Sequence, residues 1–127
     1  MVESIKLGKN IISKNNKTYF IADIGANWDG SLNRAKKLIK LCSKAGANAA
    51  KFQNFNADTI VSDLGFKQLS KKIKTHQSNW KKSVYETYKK ASIPLEWTKE
   101  LHQECKKYNI DYFTSPYDIT QLSFLSK

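Results

Sequence analysis

Three short apolar runs in this chain each end in polar residues and are followed by helix-forming sequence, and that order constrains the fold more than any other feature. The first is Tyr19 to Ile24, which runs into Gly25-Ala26-Asn27-Trp28-Asp29-Gly30. The second is Ala49-Ala50-Lys51-Phe52-Gln53, and the third is Ile110-Asp111-Tyr112-Phe113-Thr114-Ser115-Pro116. Continuous apolar runs separated by helical segments read as parallel strands covered on both faces. Strand, polar tip and helix in repetition predict an α/β fold, the N-terminal portion of a (β/α)8 barrel. In that architecture the side chains at strand C-termini carry the chemistry.

The connecting segments fit this reading. Ser31 is a good N-cap, and Leu32, Ala35, Leu38, Ile39, Cys42 and Ala45 recur at helical spacing before Gly46 supplies a left-handed stop, so 32–45 is predicted as the first crossover helix. Two further helices are predicted before the third strand. One covers about 79–91, with Trp80, Val84, Tyr85 and Tyr88 on one face; the other opens near Pro94 and carries Trp97, Leu101, Cys105 and Tyr108. Asp118 with Gln121 starts a last helix that carries Leu122 and Leu125. Residues 54–77 have no clear period and are expected to lie over the strand tips, partly ordered by short turns.

At the N-terminus, 4–7 and 10–13 are β-like and Lys14-Asn15-Asn16-Lys17 is a polar turn with two asparagines that tolerate left-handed angles. The expected organisation is a β-hairpin over 1–18 and a partial barrel of three βα units over 19–127, truncated at its C-terminal side. A complete barrel needs about 250 residues. The chain alone is therefore expected to be inactive, with an open sheet edge that invites aggregation.

Composition bounds the alternatives. The net charge is +11, and the stretch Lys67 to Lys90 interleaves eight lysines with Trp80, Tyr85 and Tyr88, which raises a basic anion- or nucleic-acid-binding module as a second reading. Arg34 is the single arginine among 22 basic residues, however, and nucleic-acid readout draws heavily on the planar arginine fork. Solvated surface lysines are the preferred account. No run of eighteen apolar residues and no signal-like N-terminus is present, so a cytoplasmic protein without a membrane span is the default. Cys42 and Cys105 fall on helical apolar stripes and read as buried thiols, a disulfide or metal pair being the alternative. His76 and His102 read as surface residues.

The motifs also carry a resemblance. Ile21-Ala22-Asp23-Ile24-Gly25-Ala26-Asn27, Ala45-Gly46-Ala47-Asn48-Ala49-Ala50-Lys51-Phe52-Gln53 and Phe113-Thr114-Ser115-Pro116-Tyr117 resemble three ordered signatures of the sialic acid synthase family, also called the N-acetylneuraminate synthase family. Ile93-Pro94-Leu95-Glu96-Trp97-Thr98 is similar to a stretch before its third strand. The resemblance covers residues 5–127. It implies an enzyme that condenses phosphoenolpyruvate with an N-acetyl hexosamine such as N-acetylmannosamine, giving a nine-carbon 2-keto sugar acid and phosphate. It further implies a homodimer at full length and a divalent metal, manganese or magnesium, whose ligands lie outside this chain. A catalytically inactive remnant of such an enzyme is a third reading.

Residue by residue, the resemblance assigns Lys51 a charge contact with phosphoenolpyruvate and Ser115 the pyruvyl carboxylate, with Thr114 beside it. Gln53, two residues beyond Lys51, points to the same side of the strand and shares the pocket. Asp23 takes the catalytic role of orienting sugar or metal-bound water; an acid in an apolar strand would be costly to bury without a partner. Asn27 lines the pocket or caps its own loop. Where the family often has histidine after this asparagine, the chain has Trp28, so the resemblance carries over no role for that histidine in holding substrate.

Overall fold

The central strand decides the architecture. In the computed structural model, which describes residues 3–125, Ala49–Asn54 forms a strand with a parallel neighbour on each side. In chain order the strands are β1 (Ser4–Leu7), β2 (Asn10–Ser13), β3 (Ile21–Gly25), β4 (Ala49–Asn54) and β5 (Asp111–Pro116). The helices are α1 (Leu32–Lys44), α2 (Ala57–Ile60), α3 (Asp63–Ser70), α4 (Val84–Ala91), α5 (Trp97–Lys107) and α6 (Ile119–Leu125). β1 and β2 pair antiparallel as a hairpin, and β3-β4-β5 form a three-stranded parallel sheet. Helical segments follow each of β3, β4 and β5 in the chain.

Alternation along β4 divides the sheet into two unlike faces. Ala50 and Phe52 are fully buried against α1 and α5, in a cluster with Ile24, Ile39, Leu101 and Ile110. Phe52 stacks on Tyr112 with ring centroids 5.7 Å apart. Lys51 and Gln53 point the other way, where Ile21 is 47% exposed and no helix covers the sheet among the described residues. The sheet is thus half covered.

Local chemistry sets the helix ends. The Ser31 hydroxyl accepts from the Arg34 N–H at 3.2 Å, and α1 stops at Gly46, whose φ of +85° excludes most side chains. Ser83 and Glu86 form a reciprocal capping box at the start of α4, so that helix begins five residues later than the periodicity predicts. Trp80 lies outside it, after a single 3-10 turn at His76–Asn79. The segment read as irregular holds α2 and the two-turn α3, the latter capped by Ser62. Asn15 and Asn16 do not adopt left-handed angles; Asn109, which follows α5, does.

The hairpin docks at the N-terminal end of the sheet. Asn10 and Tyr19 both donate to Asp111 Oδ2, at 3.0 and 2.6 Å, and Lys9 bonds to the Asn109 side chain. Burial and the hydrogen bond to Asp111 raise the Tyr19 phenol above its ordinary range.

Both cysteines are free thiols. Cys105 is buried between α5 and the sheet, and burial pushes it from 9.0 up to about 12. Burial likewise pushes Tyr112 from 10.0 to about 12. Both groups hold their protons more tightly in the fold than in the open chain, so their contribution to stability is complete below about pH 9 and is lost as pH rises toward 12. The melting temperature is expected to fall across that window, with a shallower fall in Cys105→Val. At one protein concentration, Phe52→Ala is expected to cost about 3–5 kcal/mol in denaturant unfolding. Ile21→Lys, on the uncovered face, is expected to leave stability nearly unchanged while reducing self-association in sedimentation velocity, because it charges an exposed edge strand.

Candidate functional site

The uncovered face gathers most of the residues singled out in the sequence. Asp23 pairs with Lys51 and Gln53 with Ser115 across the parallel ladders, and paired residues in a parallel sheet project to the same side. Lys51 Nζ lies 3.3 Å from Asp23 Oδ2. A register shift between Asp23 and Gly25 puts Gly25 in the left-handed region, with φ +55°. A β-carbon there would stand 3.8 Å from both Asp23 Oδ1 and Gln53 Nε2. An acid, an ammonium, an amide and a hydroxyl therefore share the C-terminal half of one sheet face.

The Asp23 environment differs from the expectation drawn from its apolar strand. Its carboxylate is 57% exposed rather than buried, because β3 is an edge strand whose outer-facing side is not packed. The Lys51–Asp23 contact is therefore a solvated pair worth less than about 1 kcal/mol, and it serves position more than stability. Lys51 is the more enclosed partner at 30%.

Two other residues take different places. Thr114 sits opposite Phe52 in the ladder and faces the helices, where its hydroxyl donates to Asn54 Oδ1. It is one residue out of phase with Ser115 and does not share the face. The Asn27 amide donates to the Ile24 carbonyl at 2.9 Å, and its own carbonyl accepts from Arg34 Nε at 2.9 Å. Asn27 is thus engaged in its loop, the alternative its sequence context left open.

Trp28 is a core residue. It is 2% exposed and meets Trp97 edge to face with centroids 5.3 Å apart. An indole in this place fills volume beneath the loop and does not reach the polar face. Asn54 was not singled out in the sequence: fully buried at the end of β4, it is bridged to β5 through Thr114, and its backbone carbonyl accepts from Tyr117. Its even phase relative to Lys51 and Gln53 is the signal that separates it from them.

Among the described residues no three histidine, cysteine, aspartate or glutamate side chains come together as a metal could use them. His76 lies against Trp80 and His102 against Tyr112, both away from the polar face. The described residues do not fit a metal centre of their own. No helix among the described residues is long and apolar enough to cross a membrane.

The fold is shared with known proteins. A model of the NeuB family matches residues 38–127. The chain is 34% identical over 111 residues to N,N'-diacetyllegionaminic acid synthase of Campylobacter jejuni, covering 87% of this chain and 32% of that protein. It is 34% identical over 114 residues to N-acetylneuraminate-9-phosphate synthase of Drosophila melanogaster, covering 85% and 28% respectively. Among solved structures, the N-acetylneuraminic acid synthetase of Leptospira borgpetersenii, crystallised with citrate, superposes with a TM-score of 0.74 at 28% identity, covering 97% of this chain and 37% of that one. The chain thus spans about a third of the length of the curated relatives it matches.

Because Trp28 is packed in the core against Trp97, Trp28→His is expected to destabilise the chain by about 3 kcal/mol in denaturant unfolding, the scale of a large-to-small core change. Ser115→Ala, on the open face, is expected to change stability by less than about 0.5 kcal/mol.

Proposed function

From the premise that this chain belongs to the NeuB family, we propose that it is the N-terminal portion of a sugar-acid synthase barrel and contributes the phosphoenolpyruvate half of the active site. The observation that carries the reading is the shared strand face on which Lys51 Nζ stands 3.3 Å from Asp23, with Gln53 and Ser115 on the same side. A fixed ammonium at a strand tip suits a multiply charged anion, and a charge-assisted hydrogen bond to phosphate is stronger than a neutral one. The family name and the synthases among the relatives support a sugar-acid product.

In this reading Lys51 holds the anionic substrate and Ser115 donates its hydroxyl to the pyruvyl carboxylate. The Gln53 amide has both a donor and an acceptor to orient the substrate. The enol carbon then attacks the aldehyde carbon of an open-chain N-acetyl hexosamine, forming the new carbon–carbon bond while the aldehyde oxygen takes a proton. Water adds to the resulting cation, and phosphate departs to leave the 2-keto acid. Asp23, acceptor-only when ionised, is suited to orienting the sugar hydroxyls or the attacking water. The divalent metal implied by the family resemblance would need ligands from residues other than those described.

The test uses a complete barrel in which the remaining βα units are supplied by a relative. Lys51→Ala is expected to raise KM for phosphoenolpyruvate at least tenfold, the loss of about 1.4 kcal/mol or more, with a much smaller change for the amino sugar. Equal effects on both substrates would show that Lys51 does not hold the anion.

A further inference from the structure

The strand ends that carry the polar face are tied together from behind it. Asn54, the last residue of β4, is 0% exposed and one residue out of phase with Gln53, so its side chain is on the helix side of the sheet. Its Oδ1 accepts from the Thr114 hydroxyl, and its backbone carbonyl accepts from the Tyr117 N–H at 3.0 Å. These two bonds reach β5 on either side of Ser115. Within the bracket, Pro116 fixes its own φ and restricts Ser115 to extended backbone. Ser115 in turn pairs with Gln53, the residue just before Asn54. One buried residue therefore grips both strands at the point where the Gln53 and Ser115 side chains leave them for the open face.

Stability does not account for this arrangement. A hydrogen bond between two neutral side chains contributes little net free energy, and a matched apolar pair of the same shape is often neutral or stabilising in its place. The Asn54 Nδ2 is also buried without a partner among the described residues, which adds a desolvation cost. A leucine facing a valine would fill the same volume and carry neither penalty. What an apolar pair lacks is direction. An amide–hydroxyl bond constrains both distance and angle between the tips of β4 and β5, whereas apolar contact is non-directional.

We propose that Asn54 is a positioning residue for the sheet-face site, clamping β5 on both sides of Ser115 through Thr114 and Tyr117 and so fixing the span between the Ser115 hydroxyl and the Gln53 amide. The inference rests on the reading of that face as the phosphoenolpyruvate site. An anion held between a hydroxyl and an amide tolerates little change in their separation, since a misplacement of about 1 Å is enough to lose productive geometry.

The test removes the bond without stranding either of its ends. In the full chain, Asn54→Leu with Thr114→Val is expected to leave the thermal midpoint unchanged or raised, while hydrogen exchange of the Tyr117 amide quickens about tenfold or more relative to that of Ala50. In the complete barrel, the same pair is expected to raise KM for phosphoenolpyruvate about fivefold or more, with KM for the amino sugar little changed. Thr114→Ser keeps the hydroxyl and is expected to retain the parent values of both exchange and KM. If the double variant does not fold, Thr114→Val is set against Thr114→Ser: a raised KM in the valine variant alone supports the clamp, and equal KM values overturn it. Unaltered Tyr117 exchange in a folded double variant would also overturn it. An unaltered KM for phosphoenolpyruvate in that variant would reduce Asn54 to a structural residue, whether or not Lys51→Ala has its effect. A raised KM there beside a silent Lys51→Ala would instead refute the role given to Lys51 and leave the positioning role standing.

Discussion

The parallel pairing of β4 with both of its neighbours is the constraint on which the rest of this structure depends. Because side chains alternate along a strand, its register fixes which residues meet the helices and which meet the open side. Ala50, Phe52 and Asn54 go inward, and Lys51 and Gln53 go outward. Slipping the register by one residue would drive the Lys51 ammonium into the cluster around Leu101 and Ile39, where an unpaired charge is prohibitively costly. The apolar demand of one face and the polar chemistry of the other are thus enforced by the same hydrogen-bond ladder.

That coupling explains what could be read from the sequence. The strands are legible because their apolar runs are short and end in Gly, Asn or Pro. Helix α1 is legible because Ser31 and Gly46 bracket a clean stripe. Lys51, Gln53 and Ser115 follow from parity once the strands are aligned, since odd-numbered positions of β4 and β5 share a face. Thr114 fails by the same parity, as a neighbour of Ser115 in the chain but not in space. Asp23 is on the expected face, but its exposure depends on β3 being an edge strand, a property of the sheet order and not of local sequence.

The parts that sequence misjudges are those governed by side-chain capping. Helix α4 starts where the Ser83–Glu86 box closes the first turn, which overrides the aromatic spacing that reaches back to Trp80. Helix α3 has no buried residue, so it lacks the apolar stripe by which helices are recognised. Its Ser62 cap was the available signal, with the hydroxyl accepting from Gly65 at 3.1 Å. Family resemblance adds information of another kind. It identifies Trp28 as a departure, and the fold gives that departure a physical cause, since the indole is needed against Trp97.

Asp111 ties the N-terminal hairpin to the sheet through two donors at once. Its Oδ2 accepts from Asn10 and from Tyr19, donors that lie on either side of the 14–17 turn, and Gly8 sits so near that an added β-carbon would be 3.2 Å from Oδ1. One carboxylate at the start of β5 therefore fastens residues about a hundred positions earlier in the chain. Neutralising it would weaken both hydrogen bonds together, leaving the contact of Lys9 with the Asn109 side chain to hold the hairpin. Ser115 lies at the far end of β5 from Asp111, whereas Lys51 pairs with Phe113, whose ring meets Tyr19 with centroids 6.4 Å apart, so the clasp reaches toward the polar face through that aromatic contact.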